Sequence, residues 1–238
     1  SCVPSDNKGY LEVSDNNKYL RFKDNHESFF AIGENLAFPF YNLMLTPSIE
    51  DRTEELMNEL SDYGGNYFRL WMATWALGVE RERLGVYDKG NYDIGAWSHI
   101  WDEPYDKEVN RQHHAWELDK IINSAHEKNL YIQLTFEGNS MNPLSVENTT
   151  WLNAGWPRNP YLSIPTVTTR NDFFEDTEAK NYYRRKLRYI ISRWGYSTNI
   201  AVWELFNEVE QFFGNGANQP YYFQNERQMV NHWHCLLY

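Results

Sequence analysis

The run Trp203-Glu204-Leu205-Phe206-Asn207-Glu208 holds the side chains best placed to do chemistry. Its apolar positions read as a buried strand that ends directly in a carboxamide and a carboxylic acid. A carboxyl group at a partly desolvated strand end has its neutral form favoured, so its pKa rises. An acid poised that way can protonate a leaving-group oxygen, and the Asn beside it offers a donor and an acceptor to a substrate hydroxyl. Strict alternation sends Asn207 and Glu208 to opposite faces, so both reach one site only where the strand bulges or ends. By residue type alone, a polar strand-to-loop junction or a helix cap accounts for the pair more simply. Glu204 cannot join Glu208 in a two-carboxylate site, because four strand residues separate them by roughly 13 Å.

Other chemistries lack their residues. His232-Trp233-His234 has an H-x-H spacing, but i and i+2 diverge on a helix, and His113-His114 are adjacent. With no H-E-x-x-H and no G-x-S-x-G, neither a metal site nor a serine nucleophile is expected. Gly214-Asn215-Gly216 is a loop signal rather than a phosphate cradle, and Asn148-Thr149-Thr150 is a glycosylation sequon of a kind that arises by chance. Arg184-Arg185-Lys186 lies on a helical pattern and reads as that helix's solvated face. Cys2 and Cys235 are too few for a disulfide framework or a zinc knuckle and do not fix the redox compartment.

The elements that must position Asn207 and Glu208 alternate. Tyr10–Val13 and Tyr19–Phe22 flank SDNNK and predict a short hairpin. Phe29-Phe30-Ala31-Ile32-Gly33 reads as one strand buried on both faces. Ser48 caps a helix carrying Leu56, Leu60 and Tyr63, which Gly64-Gly65 ends. A strand over 67–72 follows, then a long loop over 73–112. Trp116, Leu118, Ile121, Ile122 and Ala125 mark the next helix, and residues 130–136 the next strand. A second long loop runs to Glu175. Asp176 then caps a helix with Ala179, Tyr182, Tyr183, Leu187, Ile190, Ile191 and Trp194, which Gly195 stops. Residues 200–206 form a fourth buried strand, and a last helix begins near Gln224.

Strand and helix alternating in this order imply an α/β fold with parallel strands and crossover helices. The long segments follow strands two and three, as in a TIM (β/α)8 barrel, whose active site is built from βα loops. A doubly wound nucleotide-binding sheet lacks support, because no G-x-G-x-x-G or G-x-x-x-x-G-K-[ST] occurs. Eight units take about 250 residues. Here 238 hold about four, so the expectation is half a barrel that stops within its fourth helix. The expected division is a hairpin and junction over 1–25 and the N-terminal half of a (β/α) barrel over 26–238.

Composition narrows the classes. Apolar residues at 42% allow a core, and aromatics at 17% argue against disorder. No apolar stretch approaches the roughly 20 residues of a spanning helix, so membrane insertion is not expected. A net charge of −11 repels phosphate backbones, which argues against nucleic acid as a partner. The chain opens SCVPSDNKGY, with no visible signal peptide.

The sequence resembles the clan A (β/α)-barrel glycoside hydrolases, and within them the family 5 cellulase and mannanase-like enzymes. The matching stretches are Phe29–Asn35, Gly65–Trp71, Leu130–Phe136 and RRKLRYIISRWGYSTNIAVWELFNEVE from Arg184 to Glu210. The resemblance implies a retaining β-glycosidase acting on a plant polysaccharide such as β-mannan or β-glucan. Glu208 would be the acid/base and Asn207 the residue that binds the sugar 2-hydroxyl. Arg69 would orient the nucleophile, and Asn35 would line the substrate site. The family's nucleophile is a Glu ending strand seven, which this chain does not reach, so the polypeptide alone is expected to be catalytically incomplete. Retention needs carboxyl groups about 5 to 5.5 Å apart. Glu137, in Glu137-Gly138-Asn139 where the family often has a histidine, reads as a subsite residue or loop anchor. No cofactor or metal is implied. An extracytoplasmic location, an upstream immunoglobulin-like module and a missing C-terminal half-barrel come from the resemblance alone.

Trp71, Trp75, Trp97, Trp101, Trp151 and Trp156 lie at a strand end or in the long loops. Indole faces stack on the C–H patches of pyranose rings, although large aromatics also simply anchor loops. Trp71 and Trp75 are the choice for substrate contact because they adjoin Arg69, while Trp194 and Trp203 read as core. Two rivals stay open: a non-catalytic carbohydrate-binding protein, and an inactive barrel fragment that pairs through its exposed sheet edges.

Overall fold

A computed structural model of the chain describes residues 7–36, 49–72, 77, 79, 107–137, 161, 164–168 and 170–207. β1 (Leu11–Val13), β2 (Leu20–Phe22) and β3 (Ser28–Phe29) form a small antiparallel sheet. β4 (Gly33–Asn35), β5 (Tyr67–Trp71), β6 (Tyr131–Glu137) and β7 (Ile200–Phe206) form a second sheet in chain order. β4 runs parallel to β5 and β5 to β6, with α1 (Ile49–Asp62) and α2 (Lys107–Glu127) in the crossovers. α3 (Arg170–Glu175) and α4 (Thr177–Trp194) precede β7. A doubly wound sheet reverses its strand order at a switch point. The described strands never reverse, which is the order of a TIM-type (β/α) barrel, here over four strands. The chain falls into two compact units: Ser1–Trp71, Trp116–Phe136 and Ile191–Glu204 in the first, and Met72–Ala115, Glu137–Ile190 and Leu205–Tyr238 in the second.

In the first unit the small sheet packs against the start of the parallel one. The Phe29 ring meets Phe22 at 5.7 Å and Tyr131 at 4.9 Å, both edge-on, and Tyr67 at 6.4 Å. Tyr67 and Tyr131 are the first residues of β5 and β6, so the hairpin and β3 cover the end where those strands begin. Edge-on aromatic pairs add about 0.5–1.5 kcal/mol each beyond the area they bury.

The run from Phe29 to Gly33 is not one buried strand. It leaves the antiparallel sheet after Phe29 and enters the parallel sheet at Gly33, with Phe30 79% exposed between them. The Asn66 side chain makes the exchange possible. Its Oδ1 accepts the Ile32 N–H at 2.8 Å and its Nδ2 donates to the Phe30 carbonyl at 3.0 Å. Backbone groups that leave one ladder are thereby satisfied before they enter the next. Gly33 is required there, because a Cβ would fall 1.6 Å from the Tyr67 carbonyl oxygen.

The helix ends follow local chemistry. Gly64, at φ +79, closes α1: its N–H bonds the Ser61 carbonyl and the Gly65 N–H bonds that of Leu60. This is the Schellman pairing. Asn129, at φ 53, repeats it after α2, with Asn129 N–H to His126 and Leu130 N–H to Ala125. Three core expectations are corrected. Tyr63 is exposed, because it sits past the end of α1, which buries Thr53 and Met57 among its described residues. Trp116 turns outward, with Lys120 Nζ 3.8 Å above its ring. Ile191 is exposed on α4 beside the buried Ile190 and Trp194. β7 is half-buried rather than buried, since it is the last strand of the described sheet. The segment before Asp176 is not all loop, for it contains α3. Ser48, the helix expected near Gln224 and both cysteines lie outside the described residues.

The second unit has its own core of Tyr161, Ile164, Val167, Phe173, Phe174, Ala179 and Tyr183. Asp176 caps α4 as expected: its Oδ1 accepts the Ala179 N–H at 2.8 Å and its Oδ2 the Thr166 hydroxyl at 2.6 Å. The Thr166 hydrogen bond, then the Ala179 N–H, hold this carboxyl below its usual pKa. The stability it confers is therefore complete above the unfolded value near 3.9 and is lost as pH falls through the lower folded value. Asp176→Ala should cost about 1 kcal/mol at pH 7, and urea unfolding along an acid titration should show the two proteins converging below that range.

Candidate functional site

Alternate residues of β5 and β6 divide between two faces. Phe68, Leu70, Ile132, Leu134 and Phe136 are buried on one of them. The other carries Tyr67, Arg69, Trp71, Gln133 and Thr135, and β7 adds Glu204 to this set. The parallel register puts Asn35, Arg69 and Gln133 opposite one another across β4, β5 and β6.

Glu204 organises these side chains. Arg69 grips both oxygens of its carboxylate with one edge of the guanidinium, Nε to Oε2 at 2.7 Å and Nη2 to Oε1 at 2.5 Å. Oε2 also accepts Gln133 Nε2 at 2.7 Å and the Thr135 hydroxyl at 2.6 Å. Gln133 Oε1 in turn accepts the Tyr67 hydroxyl at 2.6 Å, which fixes the amide's orientation. Burial works to raise the Glu204 pKa, but the hydrogen bonds from Arg69, Thr135 and Gln133, with the attraction to the Arg69 charge, hold it below the usual carboxylate range. Burial raises the Tyr67 hydroxyl, helped by the nearby Glu204 charge. This is a group of fixed dipoles around one ionised acid, suited to holding charge in place rather than to moving protons.

In the second unit, Glu137 ends β6 with its carboxylate buried against Lys186, Nζ to Oε1 at 2.5 Å. Its backbone carbonyl accepts the Asn207 N–H at 2.9 Å. Asn207 follows the last residue of β7 and is buried. Lys186 is therefore not on a solvated face, which corrects the reading of Arg184-Arg185-Lys186. The charge goes inward because Glu137 is there to meet it.

Of the residues singled out in the sequence, Asn35 and Arg69 share a register position and Asn35 is exposed. Arg69 is committed to Glu204, and its Cζ lies 5.2 Å from the centre of the Trp71 ring. That indole is 7% exposed, so it presents little of its face. Glu137 anchors the end of β6, and Asn207 is tied to it. Glu208, Trp75 and the other loop tryptophans lie outside the described residues. Gln133, Thr135 and Tyr67 were not singled out, and the signal for them was polar residues repeating every second position within strands otherwise rich in Phe, Leu and Ile. Among the described residues no cluster could hold a metal ion, and no helix is long and apolar enough to cross a membrane.

No protein-family model and no curated protein matches the sequence. Solved structures match the fold. The endo-1,4-β-mannanase from Eisenia fetida aligns at 18% identity and TM-score 0.52, over 84% of this chain and 45% of that one. The exo-β-1,4-mannosidase from Opitutaceae bacterium strain TAV5 aligns at 16% and 0.54, over 94% and 33%. The β-1,4-D-mannanase from Cryptopygus antarcticus aligns at 16% and 0.51, over 94% and 51%. The chain thus spans about a third to a half of the length of these structures. At such identities the likeness establishes the fold alone, part of a (β/α) barrel.

The Glu204 network yields a stability prediction. Glu204→Gln keeps the shape and removes the charge, so it should destabilise the protein by roughly 1–3 kcal/mol at pH 7. Because the folded pKa is depressed, the deficit should be full above about pH 4.3 and shrink as pH falls through the folded value. Thermal melts of both proteins across this range provide the check.

Proposed function

We propose that the chain is the N-terminal part of a retaining β-glycosidase barrel that acts on a β-linked polysaccharide, β-mannan before β-glucan. The observation that carries this reading is the placement of Asn207 at the C-terminal end of a barrel strand, with Glu208 next in the chain. Catalytic residues of (β/α) barrels stand at those strand ends. The preference for mannan draws on the mannanases and the mannosidase among the structures that share the fold.

In this reading Glu208 donates its proton to the glycosidic oxygen as the bond to the leaving sugar breaks. It then takes a proton from the water that releases the glycosyl group. Asn207 bonds the 2-hydroxyl of the sugar. The nucleophile is a strand-seven glutamate outside these 238 residues. Glu204 does not serve, because its carboxylate is already held by Arg69, Thr135 and Gln133. The bidentate pair instead keeps the Arg69 guanidinium in a fixed orientation, the condition under which it can direct a neighbouring carboxylate. The substrate is the only partner this reading requires, and an extracytoplasmic location belongs with it.

Reducing-sugar release from β-mannan and from cellulose tests the proposal. In the protein that joins this chain to the strand-seven glutamate, the wild type should release sugar from mannan, and Glu208→Gln should lower the rate by about 10²- to 10⁴-fold, the usual worth of general acid–base catalysis. Equal release by both proteins would remove Glu208 from the acid role. Mannan binding with no release by the wild type would favour a carbohydrate-binding protein.

A further inference from the structure

The second unit contains a charge pair that takes no direct part in the proposed chemistry. The Lys186 and Glu137 side chains are 3% and 2% exposed, with Nζ 2.5 Å from Oε1. A buried ion pair is a poor device for stability alone, since apolar residues of the same volume often serve as well or better. Its surroundings suggest another role. Lys186 and Tyr183 are three residues apart and share one face of α4. Lys186 holds the side chain of the last residue of β6. Tyr183 stacks on Phe206, the last residue of β7, with ring centres 5.8 Å apart and planes 9° from parallel. Between those strand ends runs the bond from the Asn207 N–H to the Glu137 carbonyl. One residue is thus held by its side chain while its carbonyl holds the backbone of Asn207.

We propose that Lys186 and Glu137 are positioning residues: the buried pair fixes the backbone of Glu137, which fixes that of Asn207. The structural half of this inference stands alone, and its catalytic half rests on the hydrolase reading above. A preorganised strand end matters because a misplacement of 1 Å at a reacting group can cost about 100-fold in rate.

The test uses two variants of the protein that joins this chain to the strand-seven glutamate. Lys186→Met/Glu137→Leu replaces the pair with apolar groups, so that no unpaired charge is left buried, and Lys186→Arg preserves it. Amide hydrogen exchange at Asn207 is the first measurement, and kcat and KM on soluble β-mannan the second. The double variant should fold, exchange its Asn207 amide at least about tenfold faster, and lose about 10- to 100-fold in kcat with KM nearly unchanged. Lys186→Arg should stay close to the wild type in both measurements. Wild-type protection of Asn207 in the double variant would overturn the inference. So would a double variant that fails to fold, which would assign the pair to stability. If the wild type releases no sugar, the hydrolase reading fails by itself, and exchange at Asn207 still decides the structural claim.

Discussion

One ionised carboxylate, that of Glu204, constrains the polar face of the parallel sheet. An acid that is 22% exposed holds its charge at a cost unless partners meet it, because desolvation favours the neutral form. Its partners come from two other strands: Arg69 from β5, and Gln133 and Thr135 from β6. Each stands where the parallel register puts it. A slip of one residue in either strand would turn its partners to the opposite face, leaving the charge unpaired among Phe and Leu side chains. The register of β5 and β6 and the ionisation of Glu204 therefore depend on each other. This mutual dependence specifies an arrangement more than it adds stability, since a partly buried pair gives back much of its attraction as lost solvation.

The same economy operates in the second unit. α4 is set in place by Asp176 at its start and by Tyr183 and Ala179 in the unit's core. Its next turn then presents Lys186 to Glu137. The strand ends are thus held by groups rooted in a packed helix. Sites carried on regular elements keep closer tolerances than sites carried on loops, and the end of β7 is held on such elements.

Much of this was legible in the sequence where one residue type answers one local need. Asp176 reads as a cap because its carboxylate meets an unpaired N–H, and Gly64 reads as a stop because the next turn needs positive φ. The parallel strands are visible as runs of Phe, Leu and Ile, and their order as alternation with helices. What escaped depended on partners distant in the chain. Phe29 to Gly33 looks like one strand until Asn66, more than 30 residues on, supplies the hydrogen bonds that let it change sheets. Lys186 sits between Arg185 and Leu187 in a run that looks solvated, and only Glu137, 49 positions earlier, draws it inward. Glu204 could be dismissed as a second catalytic carboxylate from strand geometry alone, yet its attachment to Arg69, 135 positions away, left no trace in local pattern. Asn207 was readable as a strand-end residue, whereas the carbonyl that holds it was not.

The claim at the centre of this account is that Arg69 and Glu204 act as one unit on the sheet's polar face. A double-mutant cycle with Arg69→Met, Glu204→Gln and the combined variant, followed by urea unfolding at pH 7, measures it directly. The account predicts that the two substitutions are strongly non-additive, with a coupling of about 1–3 kcal/mol. Additivity within about 0.5 kcal/mol would show that the pair is incidental and contradict the account.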